Sequence, residues 1–535
     1  MQANQISDCG FGTTIPNRSS EMRHWLGLDI GTTGSRAVII DESGAVRAAA
    51  SAEHAPMSQP QPTWAEQDPE DWWRAAQEAI RAAITQGNLK GEDIAGVGLS
   101  GQMHGAVLLD EAHQVIRPAI IWCDQRSQAQ SDWFTNRMGA ARLKEITCNP
   151  ALTGFTVPKL LWVRDREPDN YRRMRTLLLP KDYVRFRLTG EFATEVSDAS
   201  GTLLLDVPRR EWSSEILQAL ELDRSVLPLV GESEEPTTRI QTLAATATGL
   251  RAGTPVVGGG GDQAAAGVGN GIVESGILSS TIGSSGVLFA HTDEPHMDPG
   301  GRVHTFCHAV RNRWHVMAVT QGAGLSLRWF RDNFGAPEIE EARRAGKDPY
   351  ELLVAEAERV PPGSEGLLYL PYLMGERTPH LDPNARGVFF GLTARHTRAH
   401  VIRAILEGVA FSLRDGLEIF KAMGVASQQI RASGGGGRSP LWRQIQADVF
   451  QREMVTINAT EGSAYGAALL AASGWFGSVE EACRVCIRVT EQSNPDPARS
   501  RLYQEFYGIY RDLYLRLRET FQLVAQIGLT ADKAG

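Results

Sequence analysis

Short apolar runs that end in glycine recur along this chain, and each predicts a strand feeding a turn. Trp25-Leu-Gly-Leu-Asp29-Ile runs into Gly31-Thr32-Thr33-Gly34-Ser35-Arg36, and the apolar run Ala37 to Ile40 follows: strand, tight turn, strand. Ile94 to Leu99 opens into Ser100-Gly101-Gln102-Met103-His104, and Ile120-Ile-Trp122-Cys-Asp124-Gln-Arg126 repeats the pattern. Thr254 to Val257 meets four glycines, then Asp262-Gln263 and a run of alanines that predicts a helix start. Gly276 to Phe289 is again strand, turn, strand, with Gly283-Ser284-Ser285-Gly286 at its tip. Val316 to Gly324 and Ile430 to Pro440 are further strand-to-glycine-to-helix units.

Helical spacing is confined to fewer stretches. Asp68 with Pro69 predicts an N-cap and first helical position for a helix continuing through Ala83. From His396 to Phe420, residues Ile402, Ile405, Leu406, Val409, Leu413 and Leu417 share one face, which predicts a core helix. Leu502 to Ala525 has the same character and closes the fold. The turn at Gly283 echoes that at Gly31, so the second half of the chain repeats the plan of the first. A duplicated domain closing over a cleft follows.

Composition narrows the function classes. With 535 residues there is material for two or more domains, and 42% hydrophobic with 22% charged residues is ordinary for a globular protein. A net charge of −9 argues against a nucleic-acid partner. No apolar run is long enough to span a membrane. Residues 1–24 read as a flexible N-terminal extension without signal-peptide features, and cytoplasmic residence is expected. Cys483 and Cys486 have C-x-x-C spacing but no second pair, and apolar neighbours place them in a partly buried helix.

The glycine turns are the candidate chemistry. Backbone N–H groups at such tips can cradle phosphates; Thr32, Thr33 and the Arg36 guanidinium would add donors at the first. Asp29, just before that turn, is placed to hold Mg²⁺, and Asp262 could take a proton from a hydroxyl. His104 could donate to a sugar hydroxyl while Met103 packs on its carbons, with Trp64 and Asp124 nearby. A structural glycine turn with a capping acid explains any one of these stretches taken alone.

Taken together they carry a resemblance. Leu28-Asp29-Ile-Gly-Thr-Thr33, Trp64-Ala-Glu-Gln-Asp-Pro-Glu-Asp-Trp-Trp73, Gly101-Gln-Met-His-Gly105, Pro158-Lys-Leu-Leu-Trp162, Leu179-Pro-Lys-Asp-Tyr183, Gly259-Gly-Gly-Asp262 and Gly375-Glu-Arg-Thr-Pro-His380 are similar to the motifs of the FGGY carbohydrate kinases. The resemblance covers roughly 25–515. It implies an α/β fold of two actin/hexokinase-like (ribonuclease H-like) ATPase domains around a central cleft. The domains would be 25–272, with sugar and catalytic base, and 273–520, with nucleotide, before a C-terminal tail at 521–535. Met103-His104 points to the xylulose-phosphorylating branch, because glycerol kinases carry Arg-Glu there.

The implied activity is ATP-dependent phosphorylation of D-xylulose to its 5-phosphate, with Mg²⁺; a homodimer is one assembly it allows. By the same resemblance Asp262 is the base and a metal neighbour, Asp29 organises Mg²⁺, and Met103 with His104 contacts sugar. Gly283 and Ser284 form the second phosphate hairpin, while Gly324, Gly435, Gly436 and Ser439 form the adenosine turns. Two positions depart from the pattern: Gln263 stands where Asn is usual in that branch, and Ser284 where Thr is usual. Kinases for ribulose, erythritol or glycerol, and a non-catalytic actin-fold sensor of sugar or nucleotide, are the alternatives.

Overall fold

The computed structural model describes residues 22–531, with side chains to 527. Most of the predicted extension, and residues 532–535 of the predicted tail, lie outside the described residues.

The first half is built on one twisted sheet. Strands β1 (His24–Ile30), β2 (Gly34–Asp41) and β3 (Val46–Glu53) form an antiparallel meander. On the other side of β1 lies β4 (Ile94–Gly101), parallel to it, and then β5 (Pro255–Val257), parallel to β4. A two-residue strand β6 (Gly260–Gly261) also joins β4 in parallel.

The second half repeats this layout. Strands β7 (Gly276–Ile282), β8 (Gly286–Thr292), β9 (His304–Cys307) and β10 (Trp314–Thr320) supply an antiparallel set in the order β9-β10-β8-β7. Strands β11 (Ser427–Ser433) and β12 (Glu453–Ile457) then continue in parallel from β7. Parallel strands buried on both faces need near-continuous apolar runs, which is why Leu26, Leu28, Leu99, Leu278 and Ile430 are wholly inaccessible.

The predicted core helix spans Arg398–Ala422, and all six residues of its predicted face lie in the core of the second half. The last helix runs Pro497–Ala531, five residues earlier than the spacing suggested and continuous past 520.

One element knits the halves. The helix Gly462–Phe476 belongs by sequence to the second half, yet its alanines pack on Trp25, Val38 and Ile40 of the first sheet. Contact is backbone to backbone: a Cβ on Gly98 would lie 2.0 Å from the Ala467 carbonyl oxygen. Cys483 and Cys486 sit behind this seam on the helix Val479–Cys486, both buried, with burial pushing the Cys486 thiol up to about 12. They pack there as the sequence suggested. Among the described residues no group of three His, Cys, Asp or Glu side chains is placed to hold a metal.

Candidate active site

Strand register sets the centre. Asp29 is the penultimate residue of β1 and sits opposite Ser100 of β4, while Gly261 of β6 sits opposite Gly101. Asp262 therefore follows directly from the strand end, as the first residue of the helix Asp262–Gly269. The two acids come close enough to act on each other. Burial, and after it the charge of Asp29, push the Asp262 carboxyl up to about 7. Burial also raises Asp29, with Ser100 and Arg36 pulling the other way, and Asp29 Oδ1 has no hydrogen-bond partner.

Met103 lies against the glycine before the acid: a Cβ on Gly261 would stand 2.9 Å from its Cγ. His104 is held in the left-handed region, φ +70°, at a cost of about 1–2 kcal/mol for a residue with a side chain. Its carbonyl accepts from Thr156 Oγ1 at 3.1 Å and Lys159 Nζ at 2.9 Å, which fixes that geometry. Lys159 belongs to the Pro158-Lys motif.

The His104 ring corrects one expectation. Nδ1 lies 2.8 Å from the Gly201 carbonyl oxygen, and a carbonyl can only accept, so Nδ1 carries the proton. Burial, reinforced by the Lys159 charge, holds the imidazole down at about 3, so it is neutral. Nε2 then has a bare lone pair. His104 can accept from a hydroxyl; it cannot donate to one.

The turn that delivers Asp262 is clamped by charges the sequence reading passed over. Arg185, fully buried, donates to the carbonyls of Val257 and Gly258. The Gly259 N–H donates to the Ser233 carbonyl at 2.8 Å, and the Gly261 N–H to Ser197 Oγ at 3.1 Å. Glu195 ties both serines, accepting from Ser233 Oγ at 2.8 Å and Ser197 Oγ at 3.0 Å. Lys181 balances the charge, 2.6 Å from Asp182 and about as close as 3.5 Å to Asp198. Losing one member of such a buried ionic set costs about 3–5 kcal/mol. The signal was legible for one pair: Lys181-Asp182 interrupts the apolar run Leu177 to Tyr183, whereas the burial of Glu195 and Asp198 shows only in the fold.

The first glycine tip is braced by side chains. Gln102 and Gln67 donate to the carbonyls of Gly31 and Thr32, and the Trp122 indole donates to Thr32 Oγ1 at 3.0 Å. Thr33 is exposed at the tip. Arg36 is engaged elsewhere than expected: its Nε donates to Glu461 at 2.6 Å and its Nη1 to Ser51, a pair that bridges the two halves. With a further bond from Nη2 to Glu461, these use three of its five N–H donors.

At the second tip, Gly324 N–H donates to the Gly283 carbonyl at 2.9 Å and Leu325 N–H to that of Ser284 at 3.0 Å. Gly436 closes over Ile282 at the same strand end, with Gly435 beside it and exposed. Gly283, Ser284, Gly324, Gly435 and Gly436 thus converge. Ser439 does something else, its hydroxyl capping the helix Pro440–Phe450 by accepting from Trp442 N–H at 3.2 Å.

Two further residues fall outside the centre. Asp124 is fully buried, and its oxygens are taken by Arg126 and by the Ala65 N–H at 2.6 Å. A carboxylate so saturated has no lone pair left for a ligand. Trp64 carries the Arg126 guanidinium 3.8 Å above its ring and Trp162 edge-on at 5.2 Å, so it anchors that ion pair. Gln263, half-buried, follows Asp262 in the first helical turn.

Comparison with known proteins fits this geometry. Residues 24–269 match the model of the N-terminal domain of the FGGY family of carbohydrate kinases, and 278–475 that of its C-terminal domain. A xylulose kinase of Escherichia coli is 41% identical over 498 residues, 92% of this chain and 99% of the relative. One from Bacillus subtilis is 39% identical over 500 residues, 93% and 98% respectively. A crystal structure described as a "xyloylose kinase" from Brucella ovis superposes with a TM-score of 0.83 at 37% identity, covering 93% of this chain and all of that one.

Proposed function

This chain belongs to the FGGY family of carbohydrate kinases, and we propose that its substrate is D-xylulose, phosphorylated at the terminal hydroxyl by ATP. It is a sugar kinase, a phosphotransferase with ATP as co-substrate. Among the described residues no helix is long and apolar enough to cross a membrane; we place the enzyme in the cytoplasm.

The observation that carries the mechanism is Asp262, a half-buried acid at a strand end, raised to about 7 beside a second acid. A base with that pKa is half-ionised at neutral pH and strong enough to accept a hydroxyl proton as the oxygen attacks phosphorus. Asp262 receives the proton of the terminal hydroxyl. His104 Nε2 accepts a second sugar hydroxyl, and Met103 offers apolar contact. The residue range 25–272 would supply these groups, and 273–520 the glycine turns of the second tip for the nucleotide. Closing the cleft would exclude water, the competing acceptor.

Mg²⁺ fits the acids present. Asp29 Oδ1 is buried without a partner, and Mg²⁺ takes one or two carboxylates, filling its other positions with water and substrate phosphate. Asp29 would hold it with Asp262 close by; when bound, it neutralises phosphate charge.

The test is ADP release over a panel of D-xylulose, D-ribulose, erythritol, glycerol and xylitol. D-xylulose should lead the others in kcat/KM by at least about tenfold, the worth of one well-placed contact. A different leader would replace the substrate assignment and keep the kinase. Sugar binding without ADP from any of them would remove the mechanism.

A further inference from the structure

The motif Trp64 to Trp73 buries Gln67 and Trp72 behind the first glycine tip. All four carbonyls of that tip are captured. Gly31 accepts from Gln102 Nε2 at 3.2 Å and Thr32 from Gln67 Nε2 at 2.7 Å. Thr33 accepts from the His54 N–H at 2.9 Å, and Gly34 from the Gly31 N–H at 3.0 Å. The two glutamines can sit only one way round. The Trp72 indole donates and never accepts, and it lies 3.2 Å from Gln67 Oε1. That oxygen also accepts from Gln102 Nε2 at 2.9 Å, so Gln67 Nε2 is left to face Thr32. Gln102 Nε2 faces two oxygens, those of Gly31 and Gln67, and a flipped amide would set oxygen against oxygen. Its own Oε1 stays buried without a partner, a costly position that the geometry nevertheless holds.

A trans peptide points its C=O and its N–H in opposite directions. The carbonyls of Gly31 and Thr32 converge on one glutamine pair, so the N–H groups that follow them, on Thr32 and Thr33, both point away from it. Neither has a hydrogen-bond partner among the described residues. The second tip reaches the same polarity by other means. There the carbonyls of Gly283 and Ser284 are held by the backbone N–H groups of Gly324 at 2.9 Å and Leu325 at 3.0 Å. The N–H groups of Ser284 and Ser285 are again without a partner among the described residues. Side chains support one tip and a helix start the other, yet both turn two carbonyls in and two successive N–H groups out. Successive unpaired N–H groups form an anion-binding concavity.

We propose that Gln67 and Gln102 are positioning residues for phosphoryl transfer: by holding the carbonyls of Gly31 and Thr32 from behind, they turn the N–H groups of Thr32 and Thr33 outward to receive a phosphate of ATP. This rests on the phosphotransferase reading above. Trp72 fixes Gln67, Gln67 fixes Gln102, and neither glutamine needs to touch the nucleotide. Without the pair, the peptide units at Gly31 and Thr32 are free to rotate and can present a carbonyl oxygen to an anion.

Gln67→Met keeps the length of the side chain and loses its amide, whereas Gln67→His keeps one N–H donor and one acceptor. Both are titrated calorimetrically with ATP and with adenosine, and assayed on whichever sugar leads the substrate panel. For Gln67→Met the Kd and KM for ATP should rise about 10–100-fold, the worth of a hydrogen bond to a charged group. The Kd for adenosine, which has no phosphate, and the KM for sugar should stay within about twofold, as for sites that share no partner. Gln67→His should recover most of the loss, and thermal melts establish that both variants fold. An unchanged Kd for ATP overturns the proposal, as do equal losses for ATP and adenosine, a sugar KM that rises as far as that for ATP, or a histidine variant no better than the methionine one. The calorimetric arm needs no turnover. Wild-type enzyme that binds ATP more tightly than adenosine yet phosphorylates no sugar sinks the phosphotransferase reading and leaves the role of the glutamines to the ATP titrations. Wild-type enzyme that binds ATP no more tightly than adenosine sinks both.

Discussion

The two halves of this molecule place their strand ends in the same register and put opposite chemistry there. In the first, Asp29 of β1 sits opposite Ser100 of the parallel strand β4, two residues before the glycine tip at Gly31. In the second, Thr281 of β7 sits opposite Ser433 of the parallel strand β11, two residues before the tip at Gly283. Thr281 Oγ1 and Ser433 Oγ are 2.7 Å apart and satisfy each other. Asp29 keeps an oxygen with no partner, and Ser100 stands close enough to pull its carboxyl down. Same fold position, one a closed pair of hydroxyls, the other an acid with an open oxygen. A buried oxygen without a partner is costly, and in the proposed mechanism it is the one that holds the metal. The duplicated scaffold repeats the geometry while the side chains at this equivalent position differ, and the proposed mechanism assigns the chemistry to the half with the acid.

Asp262→Asn should break the chemical half most. We expect kcat to fall by about 10²–10⁴-fold, the usual worth of a general base, with ATP binding retained by calorimetry. Stability should move the other way. The folded pKa of Asp262 lies above its unfolded value of 3.8. The folded state therefore holds a proton that the unfolded chain gives up, and stability is lost as pH rises through about 7. Asparagine stays neutral, so the ligand-free variant should melt above wild type at pH 8, with the gap narrowing through pH 5 and closing only near pH 4, the unfolded value. A variant that melts lower at both pH 8 and pH 5 would deny that burial is what raises the acid.

Asp29→Asn comes next. It gives the first half an uncharged side chain like that of the second, and activity should drop at least about 10–100-fold, the loss that outer partners of a metal alone cause. The acid limb of kcat/KM should shift to lower pH, because the Asp29 charge is one of the two causes raising Asp262. An unmoved limb would leave burial as the sole cause.

Gly324→Ala tests the binding half. Its Cβ would lie 2.2 Å from the Gly283 carbonyl oxygen, so the second tip must move. The KM for ATP should rise about tenfold, while the KM for sugar stays within about twofold if the two tips share no partner and act independently. Equal rises in both would mean that the tips are not separate sites.

The strand-turn-strand units, the glycine turn before Asp262 and the helix at Arg398–Ala422 were legible because each is written in consecutive residues. The residues that orient the site were not. Arg36 pairs with Glu461, 425 positions away, and no local spacing could show that this guanidinium is already engaged. Asp124 looked like a second free carboxylate because its saturation by Arg126 and Ala65 depends on tertiary packing. The proton on His104 needed the Gly201 carbonyl, 97 residues on. Sequence periodicity reports which residues are buried; it does not report which lone pairs remain.

The smallest effect should come from the mirror of Asp29. Thr281→Val keeps the shape of the side chain and removes the hydroxyl that pairs with Ser433. A net hydrogen bond is worth about 0.5–1.5 kcal/mol, so the melting temperature should fall by only about 2 °C in a chain of this size. Valine has no lone pair or proton to offer a phosphate, and the glycine tip beyond it is held by backbone bonds to Gly324 and Leu325, which the change leaves intact. The kcat should stay within about twofold, against the 10–100-fold expected at Asp29. If Thr281→Val costs as much activity as Asp29→Asn, the two strand ends both take part in chemistry and the division between the halves fails.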